Sequence, residues 1–231
     1  MGLDTMVAVV SGTAQGIGRA IADQIETAGA TVHRVDRDEV DLSDALVATQ
    51  YLRDLGKVDI LVHSAGGVCG QQHSPIEDIT DEAWDAVVDA NLRTAFNSVR
   101  ALAPGMKERG YGRIVTISSG AGRSVSLTGI QAYTSAKAGL IGFTRQMAWE
   151  LGPFGITVNC VAPGFVLSNP TTQKQWDSYG LDGQEALLAR IATRRTGTAE
   201  DIARAALFFV EPDAGWVSGQ TLSVDGGHSL F

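Results

Sequence analysis

Short apolar segments alternate with longer amphipathic segments along the chain. The short segments are rich in valine and isoleucine and are apolar at consecutive positions, which is typical of parallel strands buried on both faces. The longer segments have the spacing of helices that cover such a sheet. The strand candidates are residues 6–12, 30–36, 58–66, 112–119, 156–163 and 220–227.

Helices are predicted between these strands. Ile17, Ile21 and Ile25 recur every four residues, and Gly29 follows as a C-cap. Repeated strand–helix alternation predicts an α/β protein with a doubly wound parallel sheet of about seven strands, a Rossmann fold with helices on both faces. The helix candidates are residues 17–29, 44–55, 80–110, 131–151 and 199–209.

The chain has no linker, repeat, low-complexity tract or break in composition, so residues 1–231 are predicted to form one domain. The least regular part is 165–198, a polar insertion between two buried strands. Insertions of this length are more often binding loops than inert connections, and we expect a substrate lid here.

The formal net charge of −8 argues against some classes of partner. A field of this sign repels phosphate backbones and anionic membranes, so we expect neither nucleic acid nor membrane as a partner. The two cysteines, Cys69 and Cys160, are far apart and lack metal-ligand spacing. A reducing, cytoplasmic location fits best, with a single disulfide as the less favoured alternative.

The first predicted strand runs directly into a glycine-rich turn, SGTAQGIG, that contains Gly12, Gly16 and Gly18. Glycines allow a sharp turn and a close approach to a diphosphate, while the N–H groups at the start of the next helix point at the anion. A tight turn that binds nothing is the alternative. The position after a buried strand and before an amphipathic helix favours dinucleotide binding.

Asp36 ends the second strand, 18 residues beyond Gly18, where a ribose-binding carboxylate is expected. Such a carboxylate favours NAD over NADP because it repels a 2′-phosphate, although the cation of Arg37 would soften this preference. A turn residue at the strand end is the alternative. Only four residues separate Asp36 from Asp41, so the connection there is reduced to a turn. Asp41 and Leu42 then lie where an adenine edge could be met, although a helix cap explains Asp41 nearly as well.

Tyr133 and Lys137 are one helical turn apart and share a face. The ammonium should stabilise a phenolate and lower the tyrosine pKa, so that the phenol can exchange a proton with an alcohol near neutral pH. Alone, such a pair is usually structural. Here Ser118 and Ser119 end the fourth strand at the ligand-binding edge, and Asn91 lies unusually in mid-helix.

These motifs together resemble the single-domain type of the short-chain dehydrogenase/reductase family, from end to end of the chain. The glycine turn resembles the family's cofactor turn, and Asp36 its NAD-selecting acid. VDILVHSAG resembles the strand that ends in Asn-Asn-Ala-Gly, VNCVAPGFV the Pro-Gly segment beside the nicotinamide, and WVSGQTLSVDGG the last strand. Asn91, Ser119, Tyr133 and Lys137 resemble the catalytic tetrad.

The resemblance implies a role for each of these residues. Tyr133 would donate or accept the proton, and Lys137 would hold the nicotinamide ribose. Asn91 would position a water, and Ser119, rather than Ser118, would bind the substrate oxygen. The cofactor NAD (NADH) would be contacted by Gly12, Gln15, Gly16, Ile17, Gly18, Asp36, Arg37, Asp41, Leu42, Ser64, Ala65, Gly66, Asn91, Tyr133, Lys137, Pro163, Gly164, Val166 and Ser168.

The chain departs from the family pattern at His63, which replaces the first asparagine. We expect a buried hydrogen-bonding role for it rather than catalysis. The other histidines do not cluster, so no metal site is predicted. Ser168 replaces a threonine but keeps the hydroxyl. The gap of 14 from Ser119 to Tyr133 is one longer than the family pattern and implies a small insertion in the loop 120–130.

The substrate is left open by the sequence. Candidate pocket residues are Val68, the loop 120–131, Phe165 and the segment 168–190, with Trp176 and Tyr179. Packing or a subunit contact explains these aromatic residues equally well. Arg194 and Arg195 have two interpretations: a solvated turn, or a pair of cations that attracts a substrate carboxylate. The solvated turn is favoured.

Three functions are consistent with these residues. The first is an NAD(H)-dependent oxidoreductase that interconverts a small-molecule secondary alcohol and a ketone. An NADPH-linked 3-oxoacyl thioester reductase is the alternative, against which Asp36 argues. A non-catalytic nucleotide-binding regulator is least favoured because all four tetrad positions are filled. The resemblance also implies a homotetramer, with a dimer as the fallback, built through the helices 81–110 and 131–151 and the last strand.

Overall fold

The computed structural model describes residues 2–126 and 128–230. Leu127, in the loop 120–130, lies outside the described residues. The described chain contains one parallel sheet in the order β2-β1-β3-β4-β5-β6. The strands are β1 (Val7–Ser11), β2 (Thr31–Val35), β3 (Ile60–His63), β4 (Gly112–Ile117), β5 (Ile156–Pro163) and β6 (Thr221–Val224).

Helices cover both faces of this sheet, as predicted. They are α1 (Gly16–Thr27), α2 (Ala45–Asp54), α3 (Asp81–Val88), α4 (Thr94–Arg109), α5 (Gln131–Leu151), α6 (Pro170–Ser178), α7 (Gly180–Arg190) and α8 (Ala199–Val210). Successive strand residues point to opposite faces. Val10 accordingly packs in the core under α1 and α8. Val9 packs on the opposite face of the sheet, in a second hydrophobic core under α2 and α4.

The sheet has six strands in the described residues, whereas about seven were predicted. The reason is the short connection after β2. The amides of Glu39 and Val40 both donate to the carbonyl of Asp36, so the chain makes a turn there. It then enters α2 and returns as β3 beside β1, which leaves β2 as the edge strand.

The predicted helix 80–110 consists of two α-helices joined by a π-helical turn, Asp89–Arg93. Thr80 caps the start of α3 by accepting a hydrogen bond from Ala83 N. The Thr94 amide bonds to the Asp89 carbonyl, five residues back, which defines the wider turn. Such single π turns are frequent at functional sites, and this one carries Asn91.

The insertion 165–198 is largely helical rather than irregular. Asn169 and Thr172 form a reciprocal capping box at the start of α6, with Pro170 in its first turn. Gly180 begins α7, which ends at Arg190. Elsewhere, Cys69 and Cys160 are both free thiols. Among the described helices, none is long and apolar enough to cross a membrane.

Candidate active site

A cavity of about 1150 Å³ opens at the carboxyl ends of the strands. This exceeds the usual range of about 300–1,000 Å³ for small-molecule pockets and leaves room for a dinucleotide with a second ligand. The order of the strands in the sheet determines which residues form each part of the cavity wall. Asp36, after β2, lies at one end, whereas His228, after β6, lies at the other. Between them the wall is formed by the turn after β1 and by the ends of β3, β4 and β5.

The glycine turn is packed so tightly that side chains are excluded from it. A Cβ on Gly12 would lie 2.8 Å from the amide nitrogen of Ala65, and the φ of Gly12 is +75°. A Cβ on Gly18 would collide with the carbonyl oxygen of Gly12. Gln15, the N-cap of α1, makes no side-chain cap hydrogen bond. The first turn of α1 therefore meets the cavity without a capping side chain, as a diphosphate site requires.

Asp36 is tied to this turn. Its Oδ2 accepts a hydrogen bond from Ala14 N at 2.7 Å, and its Oδ1 accepts one from Arg37 N at 2.8 Å. Each carboxylate oxygen keeps a further lone pair for a ribose hydroxyl. Asp36 and the exposed Arg37 both line the cavity, so the acid and the cation lie side by side.

Asp41 lines the same end of the cavity, with the buried Leu42. Asp41 Oδ1 accepts hydrogen bonds from both the amide and the hydroxyl of Ser43, and these bonds lower the pKa of the Asp41 carboxyl. The cap of α2 is Asp44. The alternative of Asp41 as the helix cap is therefore wrong.

Tyr133 and Ser119 lie close to each other near the carboxyl end of β4. Burial raises the pKa of Tyr133, and the nearby Ser119 side chain lowers it to a smaller extent, with a net upward shift. The two serines differ clearly. The Ser118 hydroxyl is buried and donates to the Lys137 carbonyl at 2.7 Å, whereas Ser119 faces the tyrosine. The role of Ser119 as the substrate-binding serine stays a prediction.

Lys137 is buried, with 4% of its surface exposed. Its Nζ donates to the Ile117 carbonyl at 2.9 Å and lies 5.6 Å from the centre of the Tyr133 ring. Burial lowers the pKa of Lys137 to about 8. The expected lowering of the tyrosine pKa by this ammonium is wrong for this structure, because burial of the phenol outweighs the other contributions.

His63 is fully buried in a chain of hydroxyl contacts. Its Nδ1 lies 3.1 Å from Ser11 Oγ, which already accepts hydrogen bonds from the amides of Ser64 and Ala65. The Ser11 hydroxyl must therefore donate to Nδ1, and the proton of the neutral imidazole is on Nε2. That nitrogen donates to Thr94 Oγ1 at 3.2 Å. His63 thus has the predicted structural role and holds the segment after β3.

The side chain of Asn91 makes three hydrogen bonds within the protein. Its Nδ2 donates to the carbonyls of Gly67 and Val87, and its Oδ1 accepts from Gly67 N at 3.0 Å. Asn91 is completely buried and does not line the cavity in the described residues. Its amide therefore braces the segment after β3. All the other residues expected to contact the cofactor line the cavity.

The segment after β5 joins the glycine turn to the lid. The space beside Gly16 is filled by the Ser168 backbone and hydroxyl. Phe165 lines the cavity and packs against Trp176 and Tyr179, with ring centres 5.8 Å apart in each pair. The two outer aromatic residues do not line the cavity in the described residues, so they support Phe165 from behind. Val68 and the described part of the loop 120–131 also contribute to the wall.

Sequence reasoning missed Asp225, His228 and Ser229 at the far end of the wall, where they lie with Arg190, the last residue of the predicted segment 168–190. These residues are placed by packing between distant segments, which leaves no local signal. Arg195 pairs with Asp201 on the surface, in agreement with a solvated turn. No cluster of potential metal ligands occurs within residues 2–126 and 128–230.

Comparisons with known proteins agree on one family. A family model described as Enoyl-(Acyl carrier protein) reductase matches residues 43–229. The (2S)-[(R)-hydroxy(phenyl)methyl]succinyl-CoA dehydrogenase subunit BbsD of Thauera aromatica is 34% identical, over 100% of this chain and 99% of its own.

Solved structures are similar over nearly the whole chain. A 3-oxoacyl-[acyl-carrier protein] reductase from Brucella melitensis with bound NAD has a TM-score of 0.85 at 31% identity, covering 97% of this chain and 91% of its own. An Agrobacterium tumefaciens chain described as a 2-deoxy-d-gluconate 3-dehydrogenase, with bound NADP, has a TM-score of 0.88 at 33% identity, covering 98% and 97%.

Proposed function

The chain belongs to the short-chain dehydrogenase/reductase family of oxidoreductases, and we propose that it is an NAD(H)-dependent enzyme that interconverts a secondary alcohol and a ketone. One observation carries this proposal. A single cavity has the glycine turn and Asp36 at one end and has Ser119, Tyr133 and Lys137 in its wall. A dinucleotide bound along it would place its reactive ring beside the proton-transfer residues.

The glycine turn and the start of α1 would hold the diphosphate, and Asp36 the adenosine ribose. When bound, the nicotinamide supplies or accepts the hydride. Ser119 would hold the substrate oxygen, and Tyr133 would exchange the proton with that oxygen at its phenolic oxygen. The phenol is protonated at neutral pH, because the pKa of Tyr133 is raised by burial. This favours proton donation to a ketone oxygen.

Lys137 provides a positive charge that is fixed by the Ile117 carbonyl. Its pKa of about 8 leaves it mostly charged at pH 7. We propose that it also holds the nicotinamide ribose. The described lid, 165–198 with α6 and α7, would exclude water through Phe165 and its aromatic support.

Asp36 supports NAD as the preferred cofactor. A 2′-phosphate would lie against its carboxylate, and like charges at contact distance disfavour binding. Arg37 beside it supports the second candidate, an NADPH-linked 3-oxoacyl thioester reductase. A similar structure is a 3-oxoacyl-[acyl-carrier protein] reductase with bound NAD, so a thioester substrate is also compatible with NAD.

We further propose that the protein is a cytoplasmic homotetramer. Trp149 on α5 is 83% exposed and Trp216, just before β6, is 100% exposed. Large apolar side chains at such exposure are typical of interfaces. Their positions on α5 and beside the edge strand β6 agree with the surfaces expected to associate.

Titrations with NADH and NADPH, followed by nicotinamide fluorescence, test the cofactor assignment. Much tighter binding of NADH is expected in the wild type, and Asp36→Ala should reduce this preference. Tighter binding of NADPH would instead favour the thioester reductase, with Arg37 as the phosphate partner.

A Tyr133→Phe variant tests the chemistry. Turnover of secondary alcohols should fall by at least about 10²-fold, the usual contribution of a positioned acid/base group. NADH binding should stay close to that of the wild type, since the phenyl ring remains. Tight NADH binding by a wild type that converts no alcohol or ketone would favour the non-catalytic regulator.

A further inference from the structure

The far end of the cavity carries a cation that the proposed chemistry does not use. Arg190 ends α7, is exposed and lines the cavity. Among the residues that the structure describes, no hydrogen bond or ion pair involves its guanidinium. The positions three and four residues earlier are Leu187 and Ala186, so its own helix supplies no acid.

The backbone next to Arg190 is held in place by the C-terminal segment. Thr193 N donates to Gly226 O at 3.0 Å, and a Cβ on Gly227 would lie 2.9 Å from the Cβ of Ala192. This contact brings His228 and Ser229 into the same wall as Arg190. Arg190 therefore belongs to a part of the cavity wall whose backbone is held in place by these contacts.

The neighbouring acid on this wall, Asp225, bonds to backbone amides and forms no ion pair with Arg190 in the described residues. Asp225 Oδ1 accepts a hydrogen bond from Gly227 N at 2.9 Å, and its Oδ2 accepts one from Ser229 N at 3.0 Å. Asp225 thus shapes the C-terminal turn, and both of its oxygens are directed at backbone amides. Among the described residues, the guanidinium of Arg190 therefore presents a positive charge to this part of the cavity without an acidic partner.

The cavity wall also includes apolar and hydroxyl side chains from the segments after β3, β4 and β5, namely Val68, Val125, Ser126 and Phe165. Because the strand order puts the far end of the cavity opposite Asp36, the adenosine half of a dinucleotide cannot reach it. A planar guanidinium pairs with carboxylate or phosphate. We infer that the substrate carries a terminal anionic group, bound by Arg190, joined through an apolar body to the carbonyl or hydroxyl carbon at Tyr133. This substrate class rests on the proposed alcohol–ketone chemistry.

A homologous series of ketones tests the anion site. The probes are 4-oxopentanoate, 6-oxoheptanoate and 8-oxononanoate, each compared with its methyl ester, and ketoalkyl phosphates of the same lengths distinguish phosphate from carboxylate. The readout is kcat/KM for NADH oxidation. In the wild type, one anion at one chain length should exceed its neutral ester by about two- to fivefold, as expected for a partly exposed charged pair.

The Arg190→Gln variant should bring this anion-to-ester ratio close to one, mainly through KM. Arg204→Gln is the matched control, because Arg204 is exposed on α8 and does not line the cavity in the described residues. It removes the same charge and should keep the wild-type ratio. Reduction of the esters with no anion preference, or an equal preference in Arg190→Gln, would overturn the anion site and leave the oxidoreductase proposal standing.

Calorimetry of the same compounds with NADH, on the wild type and on Arg190→Gln, separates the two proposals. Anions that bind through Arg190 without being reduced would support the anion site and contradict the proposed reaction. Neither binding nor turnover of any anion in the series would contradict the anion site.

Discussion

Replacing His63 by asparagine should make the protein less sensitive to acid. Burial, and after it the charge of Lys137, lowers the pKa of His63 from 6.5 to about 3. The folded state therefore does not take up this proton at pH 5, whereas the unfolded state does. The stability that comes from neutral His63 is complete above pH 6.5 and is lost as the pH falls from about 6.5 towards 3.

The size of this loss follows from the difference between the two states. Each pH unit below the unfolded-state pKa costs about 1.36 kcal/mol while the folded imidazole stays neutral. At pH 5, which is 1.5 units below the ordinary value of 6.5, the loss is about 2 kcal/mol. It depends little on the folded-state pKa, provided that this lies well below 5.

Urea unfolding of the wild type and of His63→Asn at pH 7 and pH 5, at one fixed protein concentration, measures the difference. Asparagine keeps one acceptor for Ser11 and a donor for Thr94 but does not titrate. The wild type should lose about 2 kcal/mol more than the variant between the two pH values. His73→Asn, a change at an exposed histidine, should behave as the wild type. If His63→Asn does not fold, His63→Gln replaces it. An equal loss in the wild type and the His63 variant would refute a neutral buried imidazole.

Two further substitutions test the site. Gly18→Ala puts a methyl group against the Gly12 carbonyl and should destabilise the fold by about 1–3 kcal/mol and weaken NADH binding, measured by urea unfolding and fluorescence titration. Gly142→Ala, where no atom lies within 4 Å of the added Cβ, should instead be neutral or stabilising and leave NADH binding unchanged. Ser119→Ala should lower kcat with little loss of stability, whereas Ser118→Ala should lower the urea midpoint, since its buried hydrogen bond is lost; the reverse pattern would reassign the two serines.

The parts of the fold that were predicted correctly depend on local patterns. Gly18 and Tyr133 lie at fixed distances along the chain from a strand end and from Lys137, so sequence spacing is enough to predict their places. The lid helices were missed because the signals for α6 lie in its cap, Asn169 to Thr172, rather than in an apolar stripe.

Other features could not be predicted because they depend on packing between distant segments. Arg190 and His228 share a wall only because Gly226 and Gly227 pack on residues 192–193. The upward shift of the Tyr133 pKa likewise depends on how deeply the phenol is buried. The prediction from the spacing of Tyr133 and Lys137 considered the effect of the lysine charge on the tyrosine pKa. It did not consider the effect of burying the phenol.

The replacement of an asparagine by His63 is compatible with the site because a neutral imidazole offers one donor and one acceptor, as the replaced amide can. The ammonium of Lys137 lies close enough to lower the pKa of His63 further. A second buried cation there would oppose the lysine charge, and the low-dielectric interior would strengthen the repulsion. Neutral His63 therefore satisfies two requirements at once. It holds Ser11, and through it the amides of Ser64 and Ala65, and it leaves the lysine as the single buried cation beside Tyr133 in the described part of the site.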